Sequence, residues 1–213
     1  MIRKLALSLC LVGLFSACST AYYGAMEKVG FHKRDILVSR VEKASEAQQE
    51  AQEQFKSALE QFGSVVNIEE TDLQKAYKKL NGEYEDAKDA ADEVTERIDE
   101  VEDVAKALFK EWKNELDLYQ NPELKASSQQ KLNTTRSRYQ QMMATMRDAE
   151  KTMQPVLLTF RDNVLYLKHN LNAQAIGALR SEFRSLESNI NTLISRMNRS
   201  IESSNRFIAD IKE

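Results

Sequence analysis

From Leu73 to Trp112 the chain places an apolar or aromatic side chain at every third or fourth residue without a slip. The series runs Leu73, Tyr77, Leu80, Tyr84, Ala87, Ala91, Val94, Ile98, Val101, Ala105, Leu108 and Trp112, and reaches Tyr119 after a skip at Glu115. A strand would need a period of two, so this spacing selects a helix. A seam held at 3.5 residues drifts against the natural 3.6-residue turn. It therefore forces partner helices to wind around it with knobs in holes. A helix of about 48 residues at 1.5 Å each is a rod of roughly 70 Å. Gly82 lies inside the pattern and does not interrupt it. Thr71 and Gln74 have the spacing of a capping box at its start.

Three further segments repeat the period. The first, expected over residues 35–62, turns Leu37, Val41, Ala44, Gln48, Ala51, Phe55, Ala58 and Phe62 inward, and Gly63 is placed to stop it. The third follows "YQNPEL", where Asn121 suits a cap and Pro122 the first helical position; Ser127 and Gln130 offer an alternative start. Its seam reads Leu132, Thr135, Tyr139, Met142, Met146, Ala149, Met153, Val156, Phe160, Val164 and Leu167. Pro155 removes a backbone donor, so a kink is expected near Met153. In "KHNLNAQ", Asn170 can end that helix and Asn172 can cap the next. The fourth seam reads Ile176, Leu179, Phe183, Leu186, Ile190, Leu193, Met197, Ser200, Ser204, Phe207 and Ile211, and its two serines predict a looser, wetter end.

With only 6 Gly and 2 Pro in 213 residues, turns are few and short, which makes consecutive helices antiparallel neighbours. Charge agrees. Residues 67–122 carry 8 basic against 17 acidic side chains, a net −9, and residues 123–170 carry 8 against 4, a net +4. The two segments are expected side by side in one bundle, and the acidic balance of the chain gives no general affinity for nucleic acid. Leu157, Leu158, Leu165 and Ile194 flank the seams as a candidate self-association face.

The amino end is of another kind. Arg3 and Lys4 precede the apolar run Leu5–Phe15, and Ser16, Ala17 and Cys18 follow it. A basic start, a short apolar run and small residues describe a secretory signal peptide, and the run is too short to span a bilayer. Cleavage between Ala17 and Cys18 would leave Cys18 first, with Cys10 removed, so the mature chain has no disulfide to form. "LFSAC" resembles a bacterial lipobox. That resemblance implies acylation of Cys18, and Ser19 in place of Asp implies the outer membrane, periplasmic face.

Little else carries chemistry. His32 and His169 have no second metal ligand at suitable spacing, and no phosphate-binding loop or nucleophile elbow occurs. The carboxylates from Glu83 to Glu100 lack a Gly-centred calcium loop and read as a solvated helix face. No catalytic residue, metal or cofactor is expected. Residues 21–35, "AYYGAMEKVGFHKRD", are too aromatic for a plain tether. Tyr22, Tyr23, Phe31, His32, Lys33 and Arg34 are candidates for contact with a partner or a membrane interface.

The stretch "CSTAYYGAMEKVGFHKRDILVSRVEKA", residues 18–44, resembles the start of an uncharacterised family of proteobacterial proteins catalogued as domain of unknown function 2959. The resemblance implies no activity and no site residues. The expected architecture is all-α: a signal peptide over 1–17, a lipidated segment over 18–34, and an elongated antiparallel bundle or coiled coil of three to four long helices over 35–213. The expected role is non-enzymatic: an envelope lipoprotein, held to the membrane by its anchor, that acts as a scaffold or spacer docking a periplasmic partner or associating with itself. The alternative is a regulatory or stress-related module whose acidic second helix sequesters a basic peptide or cations.

Overall fold

The computed structural model describes residues 32–67 and 73–212. They form four long helices, α1 (Lys33–Val66), α2 (Leu73–Glu115), α3 (Pro122–His169) and α4 (Ala173–Lys212), with a 3-10 turn at Leu116–Leu118. No strand occurs among the described residues. Each helix packs against two others, in the cyclic order α1, α2, α3, α4 and back to α1. Cross-helix pairs fix the directions as antiparallel throughout. Lys33 and Arg40 of α1 meet Glu111 and Glu100 of α2, and Arg147 of α3 meets Asp99. Arg138 and Asp148 of α3 meet Asp210 and Arg196 of α4, and Glu42 of α1 meets Lys212. At 1.5 Å per residue the longest helix, α3 with its 48 residues, is about 72 Å.

The seams are the core. All eight expected inward positions of α1 are buried, and so are those of α2 from Ala87 to Leu108. Leu73, Tyr77, Tyr84 and Trp112 are half-buried against the same core. Met142, Met143, Met146 and Met153 are all interior, where the flexible thioether fills irregular space. Two aromatic layers tie the helices together. In one, Phe160 of α3 lies 6.2 Å from Phe62 of α1 and 6.0 Å from Tyr84 of α2, and Phe62 lies 5.8 Å from Phe183 of α4. In the other, Tyr139 of α3 meets Phe109 of α2 at 5.3 Å and Phe207 of α4 at 6.3 Å, edge to face.

The helix ends depart from expectation in several places. α1 begins at Lys33, two residues before the expected boundary, and runs through Gly63 to Val66. Gly63 is not a stop. A β-carbon there would come within 3.2 Å of the Phe183 ring, so the glycine makes room for α4. Asn67 ends the helix instead: its side-chain amide donates to the Gly63 carbonyl at 2.9 Å, while Arg180 of α4 donates to the Val66 carbonyl at 2.7 Å. Thr71, the first half of the expected capping box, lies outside the described residues.

α3 starts at Pro122, not Ser127, because Asn121 accepts from the amides of Glu123 and Leu124 at 2.9 and 3.1 Å. It continues as one helix past Pro155, which is exposed, so the carbonyl of Lys151 that loses its partner faces water. Asn170 and Asn172 behave as expected. Asn170 donates to the Tyr166 carbonyl at 2.9 Å, and the Asn172 side chain accepts from the Ala175 amide at 3.0 Å. Ser200 and Ser204 do not loosen α4. Both are fully buried, and Ser204 donates to the Ser200 carbonyl at 2.9 Å. Tyr119 leaves the seam and is exposed, because the helix has already ended and Leu116 takes the buried place in the 3-10 turn.

Candidate functional site at the open end of the bundle

At the end of the bundle where α1 begins and α4 stops, the described residues border a cavity of 640 Å³, with Arg34, Trp112, Glu115, Lys131, Arg138 and Asp210 around it. Its polar wall is matched in part. Arg138 pairs with Asp210 at 3.3 Å, and the Trp112 indole N–H donates to the Ser128 hydroxyl at 2.9 Å. Lys33 reaches Glu111 at 2.8 Å just behind it. Arg34, Lys131 and Glu115 line the opening with no ion pair among the described residues, which leaves two cations and one carboxylate around it beside Trp112. Such a site can hold an apolar or anionic group by contact. It brings together no nucleophile with a base.

Of the candidate residues, Ala17, Cys18, Tyr22, Tyr23 and Phe31 lie outside the described residues. His32 occupies the N-cap position with extended backbone, and its carbonyl accepts the amides of Asp35 and Ile36. Lys33 is buried against Glu111 and belongs to the bundle, not to a free interface segment. Arg34 is exposed and borders the cavity. The structure therefore splits the run His32-Lys33-Arg34: one residue starts the helix, one anchors α1 to α2, and one faces the opening.

The acidic face of α2 is largely engaged. Asp92 pairs with Lys88, Glu93 and Glu100 with Arg97, and Glu100 also with Arg40. Arg147 bridges Asp99 at 2.6 Å, Glu102 at 2.8 Å and Glu150 at 2.9 Å, which joins the acidic α2 to the basic α3 as the charge asymmetry foretold. Burial alone would lower the Arg147 pKa, but the hydrogen bonds it donates to its three carboxylate partners outweigh that and hold it raised. Lys106 and then Arg147 hold the Glu102 carboxyl below its usual range. The stability from Glu102 is therefore in place above the ordinary carboxylate pKa and is lost as pH falls through its depressed value. Among the described residues no three His, Cys, Asp or Glu side chains gather as a metal ion would require, and no helix is long and apolar enough to cross a membrane.

Tyr139 sets a second pH limit. Burial between Phe109 and Phe207 pushes its phenol up to about 12, with Glu102 adding to the effect. Ionisation of an unfolded phenol begins near pH 10. A raised folded value means stability complete below that pH and lost as pH climbs from about 10 towards about 12. Urea unfolding across that range is expected to show the loss in the natural chain. Tyr139→Phe should remove that part of the slope while leaving stability at neutral pH within about 1 kcal/mol.

The structure also exposes residues that the seam reading did not single out. Leu118 and Leu124 flank the α2–α3 turn with Tyr119 between them, all three in solvent. The signal in the sequence was the skip at Glu115, after which two leucines fall off the heptad. On the candidate self-association face, Leu157 is buried and Ile194 half-buried, while Leu158 and Leu165 are exposed on α3.

The chain belongs to the family described as Protein of unknown function (DUF2959), which matches residues 22–211, nearly the whole of it. No curated protein matches the chain.

Proposed function

We propose that this member of the family is a non-enzymatic envelope lipoprotein: an acylated Cys18 holds a rigid four-helix bundle at the periplasmic face of the outer membrane, where it spaces or docks a protein partner. The observation that carries this reading is the order Arg3-Lys4, apolar run, Ser16-Ala17-Cys18 at the start of the chain. Ser19 supports the outer membrane by its likeness to other lipoproteins. Two or more acyl chains give stable anchoring at about 0.8 kcal/mol per buried CH₂, whereas one gives only marginal binding. The bundle supports a spacing role because its four helices are held by shared aromatic layers and cross-helix ion pairs, which resist bending. The docking role draws on the open end, where Arg34, Lys131 and Trp112 line the mouth of the cavity. Sequestration of basic peptides by α2 draws less support, since Asp92, Glu93, Asp99 and Glu100 already hold basic partners within the chain.

Metabolic labelling with palmitate tests the anchor. The natural chain should incorporate label and fractionate with outer membrane, and Cys18→Ala should lose both. Equal labelling of the two chains, or none in either, would sink the reading.

A further inference from the structure

We propose that the tip of the α2–α3 hairpin is a membrane-contact element, with Leu118, Tyr119 and Leu124 seated in the headgroup region of the leaflet that holds the anchor. The inference rests on the anchored reading above, and three observations carry it.

The first is apolar exposure at one turn. Leu118 at 74% and Leu124 at 57% are the two most exposed large apolar side chains among the described residues, and Tyr119 beside them is 40% exposed; a second, less exposed group, Leu158, Leu165, Tyr166 and Leu171, lies towards the other end of the bundle. Leucine with tyrosine is the pairing that favours a bilayer interface, where the ring has an apolar body and a polar edge.

The second is projection. Every residue from 117 to 127 is exposed, and the first buried residue of α3 is Leu132. α1 starts level with Glu111, through Lys33, and near the end of α4 Asp210 pairs with Arg138 of α3. The α2–α3 hairpin thus reaches beyond the described ends of both other helices. The ten steps from Pro122 to Leu132 give an overhang of about 15 Å.

The third is position. The overhang lies at the end of the bundle where the chain enters α1 at Lys33. Cys18 is 14 residues before His32, a contour of at most about 50 Å. An anchor at Cys18 lies closer along the chain to this end of the bundle than to the opposite one, which favours this end towards the bilayer. The charge of the tip fits the same role. Asp117 and Lys125 neutralise each other at 3.3 Å, and Glu123 sits in the first turn of α3, where the helix dipole favours it. Glu123 leaves the tip at a net −1, so no excess positive charge asks for anionic lipid, zwitterionic headgroups suffice and the contact should depend little on salt.

The test uses the acylated full chain in vesicles of phosphatidylethanolamine and phosphatidylcholine. Leu118→Cys carries an environment-sensitive fluorophore in one preparation and Ser188→Cys, at an exposed polar position of α4, carries it in another. Acylation blocks Cys18 from the dye, and mass spectrometry of the amino-terminal peptide verifies it. The label at 118 should shift to the blue and be quenched by spin-labelled lipid, in low and high salt alike. The label at 188, far along the bundle, should stay in water. A label at 118 that stays in water in vesicles holding acylated chain overturns the proposal and points to a protein as the occupant of the tip. If the peptide mass shows Cys18 unmodified, the anchored reading fails on its own. The tip is then judged by vesicle flotation of the natural chain against L118S/Y119S/L124S. Greater flotation of the natural chain supports membrane contact, and equal flotation overturns it.

Discussion

Phe160→Ala is expected to lower the unfolding free energy by about 3–5 kcal/mol, the range for removing a buried aromatic ring. The ring is fully buried and contacts Phe62 of α1 and Tyr84 of α2, and Phe62 in turn touches Phe183 of α4. Removing it opens a cavity between α1, α2 and its own α3, which cannot collapse without moving two seams at once. Single-domain stabilities are commonly 5–15 kcal/mol, so the variant should be partly unfolded well below the melting temperature of the natural chain. Circular dichroism at 222 nm during urea titration measures this. A loss under about 1 kcal/mol would mean that the aromatic layer is not packed in solution as described here.

Gln48→Met should have the opposite sign. Gln48 is fully buried in the α1 seam, and neither its amide nitrogen nor its amide oxygen has a hydrogen-bond partner. Nearby Ser45 and, across on α4, Ser200 also hold unpaired buried hydroxyls. The bond from the Gln52 amide to the Asn198 side chain at 3.0 Å sets Gln48 level with the Ser200–Ser204 turn of α4. Burying an unsatisfied amide costs about 1–3 kcal/mol in protein mutational data. Methionine fills nearly the same volume without polar atoms, so stability should rise by about that amount, read as a higher urea midpoint at unchanged slope. A fall in stability would mean that the amide is satisfied in solution. A buried polar side chain in a heptad seam also fixes register, because a slip of one turn would set it towards Met197 or Phe207 instead of between the two serines. The substitution should therefore gain stability at some loss of pairing uniqueness, visible as broader amide resonances in an NMR spectrum.

Much of this molecule was legible from period alone. The run Leu80 to Leu108, the methionines of α3 and the leucines and isoleucines of α4 are buried where the spacing put them. Asn121, Asn170 and Asn172 mark their helix ends because their side chains reach backbone groups within a turn of themselves. Each of these is decided by neighbours in sequence. The errors came where a distant element intervened. Gly63 carries every local mark of a helix stop, yet the approach of Phe183, 120 residues later, explains it. Lys33 looked like part of a basic surface cluster until Glu111 claimed it. Tyr119 kept the seam spacing after the helix beneath it had ended. The site itself was only half visible. Arg34 was a candidate, but Trp112, Lys131 and Arg138 join it at one opening only because antiparallel packing gathers positions nearly 100 residues apart.

Period and charge along the chain were enough to fix the all-α fold class, the course of the seams and which acidic stretch meets which basic one. A repeat of 3.5 residues and a local cap are properties of adjacent residues, and water enforces them on any chain that carries them. It took packing between distant helices to close the fourth helix on the first, to bring serines and a glutamine into a shared interior, and to let one hairpin overhang the described ends of the rest. Those outcomes depend on relative helix lengths and on which faces meet, and the balance of packing over the whole bundle sets both.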